Sequence, residues 1–241
     1  VPSPDADRLT RQHRAAQAAI GRAVVRPIRQ TAQTAPLTDV DGWFERILPQ
    51  LLRIVAAGWA ASRNQASRYL IRHAALEGVD VEPVRALWTP QRVIASARVT
   101  GPVAFKEHVE SFHAPEGAKQ AMVTRLTGAM QRQALAGGRD TIARTIEESD
   151  SIIGWRRVTD ADPCAFCAML ASRGAVYNER TVRFEAHDGD ECTFAPLYEH
   201  EDEPDEVQDL YQQWLTATAG HSGKAAIRAW RRYWDKRRKD G

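Results

Sequence analysis

From Trp43 onward, apolar residues recur three and four positions apart: Phe44, Leu48, Leu51, Leu52, Val55 and Trp59, then Ala66, Tyr69 and Leu70. That period belongs to an α-helix with one buried face. Pro115 opens a second run, with Ala118, Met122, Leu126, Ala129 and Met130 on one face. Ile142 and Ile146 carry it past Gly137-Gly138. Residues 1–150 are therefore expected to form a helical domain. Its breaks fall at Pro36, at the loop Gly78 to Pro83, and at Gly101-Pro102, while Thr89-Pro90 starts a short helix. Pro49 is expected to kink its helix or mark the first turn. Residues 5–33 are rich in Ala, Arg and Gln but poor in large apolar side chains, and read as a partner-binding arm.

After residue 150 the texture changes. Gly154–Val158 has strand character, Cys164–Leu170 reads as a short helix stopped by Gly174, and short strands are expected at 175–177 and 192–198. Two further helices are expected over about 204–219 and 222–238. The fold class is mainly α: long helices in the first two thirds, a small α+β Cys/His-clustered module of the zinc type at 151–200, and a C-terminal helical extension at 201–241.

With 43% hydrophobic residues the chain can build a core, and its net charge of +2 does not by itself call for a polyanionic partner. No apolar run is long enough to span a membrane, and no secretory signal is expected. All three cysteines lie between 164 and 192. An odd, clustered set is not a disulfide framework and implies a reducing compartment.

The cysteines form a pattern: Cys164-x2-Cys167, nineteen residues, His187, four residues, Cys192. Two sulfurs on a turn entering a helix can face one metal, and a second pair from a loop closes a tetrahedron that suits Zn²⁺. Four protein ligands leave no open position, so the site reads as structural. The alternative is three buried cysteines beside a hydrogen-bonded histidine. A catalytic reading also exists. Nucleic-acid deaminases combine H-x-E with P-C-x-x-C, and this chain has His108-Val109-Glu110 and Pro163-Cys164-Ala165-Phe166-Cys167. Here 52 residues separate Glu110 from Pro163, and residues 1–110 supply no strands for an alternating α/β core. His108 and Glu110 therefore read as solvated helix residues. No P-loop, G-x-S-x-G or ordered triad is present, so no catalytic residue is assigned.

Three segments together carry a family resemblance. They are Gly154-Trp155-Arg156-Arg157-Val158, Asp162 through Tyr177, and Phe184-Glu185-Ala186-His187-Asp188 followed by Cys192 and Pro196. The combination resembles the C-terminal signature of the MuF-like minor head proteins of actinobacterial tailed phages. Arg98 through Ala104 and Tyr69 through Arg72 resemble that family's helical part. Such relatives often carry a second cysteine two positions after the first, where this chain has Phe194. The resemblance implies a minor capsid protein acting in head morphogenesis. It would sit inside the virion near the portal, after assembly in the host cytoplasm, with portal protein, other head subunits and packaged DNA as partners. A zinc-dependent enzyme on nucleic acid and a capsid maturation protease are the other readings.

The last helix adds a candidate surface for nucleic acid or a protein partner: Lys224, Arg228, Trp230, Arg231, Arg232, Trp234, Lys236, Arg237 and Arg238. The alternative is an ordinary C-terminal helix that buries its tryptophans and solvates its charges.

Overall fold

The computed structural model of the chain describes residues 3–159, 162–176 and 186–240. Its helices are α1 (Pro4–Gln33), α2 (Val40–Leu76), α3 (Pro90–Arg98), α4 (Ala104–Phe112), α5 (Pro115–Glu148), α6 (Ala165–Ala171), α7 (Asp205–Thr218) and α8 (Gly223–Asp240). A π-helical turn at Val99–Val103 joins α3 to α4, and Gly101 leaves helical geometry within it. Two strands, β1 (Gly154–Val158) and β2 (Thr193–Leu197), pair antiparallel with Trp155 opposite Pro196 and Arg157 opposite Phe194.

The chain is mainly helical, as its apolar periods require. Ser3 caps α1 by accepting the Ala6 N–H, with Pro4 in the first turn, and Asp39 caps α2 by accepting the Gly42 N–H at 3.1 Å. α2 continues through Pro49 and α5 through Gly137-Gly138. The reason for the two glycines is tertiary. A Cβ on Gly137 would meet the Trp59 carbonyl oxygen at 2.2 Å, and one on Gly138 would meet Ser62 Oγ at 2.6 Å. The pair lets α5 lie directly against α2.

α1 is not a free arm. It packs along its length on α2 and α5, burying Ala6, Leu9, Val24 and Ile28 together with Thr10, His13 and Gln17. Its small residues permit close approach. Gln17 accepts from Ser62 Oγ at 2.6 Å, Thr10 Oγ1 lies 2.9 Å from Tyr69 Oη, and His13 stacks on the Tyr69 ring with centroids 4.1 Å apart. Polarity that looked like solvent exposure in sequence is an interhelical hydrogen-bond network.

Three cores follow. The largest joins α1–α5 around Ile28, Phe44, Leu51, Met122, Leu126 and Met130. A second lies where the hairpin meets the helices, with Trp155 and Phe194 against Leu9, Tyr69, Leu70 and Ile142. The third is separate: Ala165, Ala168 and Met169 of α6 pack on Trp230 and Trp234 of α8, flanked by Trp214 of α7. The strand expected at 175–177 does not form over Ala175 and Val176, and Tyr177 lies outside the described residues. The Ala175 N–H is bonded to Glu203 Oε1 at 2.6 Å and so joins no ladder.

Residues 79–89 run without helix or strand along α5. The Val84 N–H donates to Thr145 Oγ1 at 2.9 Å and the Ala86 N–H to Thr141 Oγ1 at 3.1 Å. Among the described residues, no helix is long and apolar enough to cross a membrane.

Candidate metal centre

Cys164 is the N-cap of α6, and its Sγ accepts the Cys167 N–H at 3.4 Å. The helix start therefore turns both sulfurs of the C-x2-C pair the same way. His187 arrives from the loop before β2. Its Nδ1 lies 3.0 Å from the Asp188 carbonyl, which can only accept, so Nδ1 carries the proton and Nε2 offers a lone pair. Nε2 lies 3.0 Å from Cys164 Sγ and 3.4 Å from Cys167 Sγ. In a zinc tetrahedron with Zn–S about 2.3 Å and Zn–N about 2.0 Å, sulfur and nitrogen stand roughly 3.5 Å apart. Cys192, one residue before β2, brings its sulfur within 4.8 Å of that of Cys167.

The ligand atoms form two overlapping groups, each within 4.8 Å: Cys164, Cys167 and His187, and Cys167, Asp190 and Cys192. Cys167 belongs to both. The hydrogen bond from Cys192 lowers the Cys167 thiol to about 6 against the cost of burial, helped by the charges of Arg157 and His187. The same bond, with burial, raises Cys192. Burial raises Cys164. Burial opposes a charged His187, but its bond to Asp188 and the charges of Cys167 and Asp190 outweigh that and raise it. One thiol held toward the thiolate, two more beside it and an imidazole lone pair form a donor set that fits structural zinc. Cys164, Cys167, His187 and Cys192 would hold the ion, and its chemistry would be to cross-link α6, the 186–192 loop and β2.

Sequence reasoning missed the residues that carry this loop. Asp190 Oδ1 accepts the Cys192 N–H at 2.8 Å, and Oδ2 faces Arg157 Nη1 at 3.4 Å. Arg157, from β1, also reaches Cys167 Sγ at 3.8 Å. From α5, Arg139 donates to the Asp190 carbonyl at 2.5 Å and Arg132 to Asp188 Oδ1 at 2.8 Å. A Cβ on Gly128 would meet Asp188 Cβ at 2.8 Å. One face of α5 is thus the seat of the loop, and Asp190, two residues before Cys192, was the available signal.

The chain matches the family model described as VG15 protein over residues 2–217. It belongs to the VG15 protein family. The VG15 match takes in the helical body, the hairpin, the whole Cys/His cluster and nearly all of α7, while α8 lies beyond its end. None of the curated proteins and none of the solved structures matches this VG15 chain.

The remaining sequence candidates are placed apart from the cluster. His108 and Glu110 lie on α4, and neither joins a metal-ligating group among the described residues. On α8, Trp230 and Trp234 are buried, 1% and 5% exposed, and face α6. They are core residues and not contact residues. Arg237 is held by Gln213 and Arg238 by Asp162, whereas Lys224, Arg228, Arg231, Arg232 and Lys236 are exposed.

Proposed function

We propose that this VG15 protein is a minor capsid protein of a tailed phage, acting in head morphogenesis from inside the head near the portal. The observation that carries the reading is how the signature residues are used. Gly154–Val158 pairs with the strand after Cys192, and between them Cys164, Cys167 and His187 converge on one side of the helical body. The residues of the MuF-like resemblance thus build a hairpin with a metal-ligating cluster beside it, an arrangement that supports a structural role in assembly. Portal protein and other head subunits are the partners this role requires, with host cytoplasm as the place of assembly.

The test is quantitative mass spectrometry of purified heads from a phage carrying this gene, beside heads from a deletion complemented by Glu110→Gln. The chain is expected in heads at a few copies, and Glu110→Gln is expected to complement fully. Absence of the chain from heads would overturn the reading. Incorporation without maturation in Glu110→Gln would favour a catalytic role instead.

A further inference from the structure

α8 has two faces of opposite character. Ala226, Ala229, Trp230 and Trp234 are buried. The Trp230 indole N–H donates to the Ala165 carbonyl at 2.6 Å, and that of Trp234 donates to the Pro163 carbonyl at 2.7 Å. These bonds straddle Cys164 and fix the rotation of α8 about its own axis. The opposite face carries Lys224, Arg228, Arg232 and Lys236 at four-residue spacing, with Arg231 and Lys239 beside them. All six are exposed, and among the described residues none is engaged by a carboxylate. Asp235 is the one acid on that face. From Lys224 to Lys239 the array spans about 22 Å. Like charges four apart on a helix repel, so in the isolated chain this arrangement is a cost that a polyanion would relieve.

We propose that this face of α8 docks on the phosphate backbone of duplex DNA without regard to sequence. A row of flexible cations that winds slowly across one side of the helix can meet successive phosphates. No ring stands free for unstacked bases, since Trp230 and Trp234 are turned inward and the exposed Tyr233 is stacked on Trp230. The face carries no Asn or Gln to read base edges. It has none of the large apolar side chains that would enter a membrane. The major groove of B-form DNA, about 12 Å wide, admits a helix, whereas that of A-form RNA is deep and narrow. The inference deepens the head-protein reading by naming a surface and a ligand class, and it stands on α8 alone.

The experiment is fluorescence anisotropy of the full chain with a labelled random-sequence 20-base-pair DNA duplex over a salt series. The variant is R228E/R232E/K236E, and the control is R26E/R29E on the exposed side of α1, with circular dichroism confirming both folds. Binding is expected to weaken with a log–log salt slope approaching about 5 in magnitude if all six cations engage. The variant should bind more than tenfold more weakly with a shallower slope, and the control should bind within twofold of the parent. Equal loss in variant and control would overturn the proposal. So would equal affinity for single-stranded DNA, duplex RNA or polyglutamate. Duplex binding by a protein absent from heads would sink the head reading and leave this one standing.

Discussion

Arg157 and Asp190 face each other inside the protein, Nη1 to Oδ2 at 3.4 Å, with side chains 1% and 0% exposed. Removing Asp190 takes the shared carboxylate from two buried arginines, Arg157 and, at 3.8 Å, Arg139, a loss of about 3–5 kcal/mol. Asp190→Ala also strips the Cys192 N–H of its acceptor. Urea unfolding is expected to show a loss in that range. A change under roughly 1 kcal/mol would mean that water reaches the pair.

Metal removal should act locally. Purified protein is expected to carry about one zinc per chain. After chelation, or in Cys164→Ser, hydrogen exchange should quicken over 164–171 and 186–192. The strand contacts of Trp155 and Phe194 should stay protected, because they belong to the core shared with Leu9, Tyr69 and Ile142. Protein that binds no zinc yet keeps those two segments protected would contradict the assignment.

Gly137 tests the helix crossing. Its missing Cβ would strike the Trp59 carbonyl, a backbone atom that cannot rotate away. Gly137→Ala is expected to destabilise by about 1–3 kcal/mol in spite of alanine's better helix propensity. A rise in melting temperature would show that the two helices separate freely.

Deleting residues 1–35 is expected to unfold the chain, since α1 supplies Leu9, Val24 and Ile28 to two cores. Far-ultraviolet circular dichroism of the truncated protein decides this. Native helicity with a cooperative transition would restore α1 as an arm.

Two buried histidines set an acid limit. Burial, and then the charge of His73, lowers His13 to about 3, and burial lowers His73 to about 4. Both sit below the unfolded value, so the unfolded chain takes up the protons first and stability falls with pH. The contribution is complete above 6.5 and is lost as pH drops toward 4 and then 3. At about 1.36 kcal/mol per pH unit, each histidine costs roughly 2 kcal/mol between pH 6.5 and 5. Urea midpoints should fall over that window, and His13→Phe should flatten the slope. An unchanged slope would assign the acid sensitivity elsewhere.

The helices were legible because Phe44, Leu51, Met122 and Leu126 mark their buried faces with a periodicity that survives in any context. The ligands were legible because cysteine and histidine are scarce and their spacing is local. α1 was misread because Thr10, His13 and Gln17 are polar, and sequence does not reveal that each faces a neighbouring helix. Arg139 and Arg157 were invisible for the same reason. An arginine on a helix or strand looks solvated until a loop 33 or 51 residues away is folded over it.

The segment along α5 has a consequence of its own. Thr141 and Thr145 are one helical step of four residues apart, about 6.0 Å of rise. Val84 and Ala86 are two extended residues apart, about 6.6 Å. The two rulers nearly coincide, so a pair of hydroxyls can grip alternate amides of a passing chain with little regard to its side chains. What the helix reads there is spacing, not identity. The two bonds themselves exclude proline at Val84 and Ala86, which would erase the amide being read, while burial of Ala86 against Trp59 and Ala136 separately holds that side chain small.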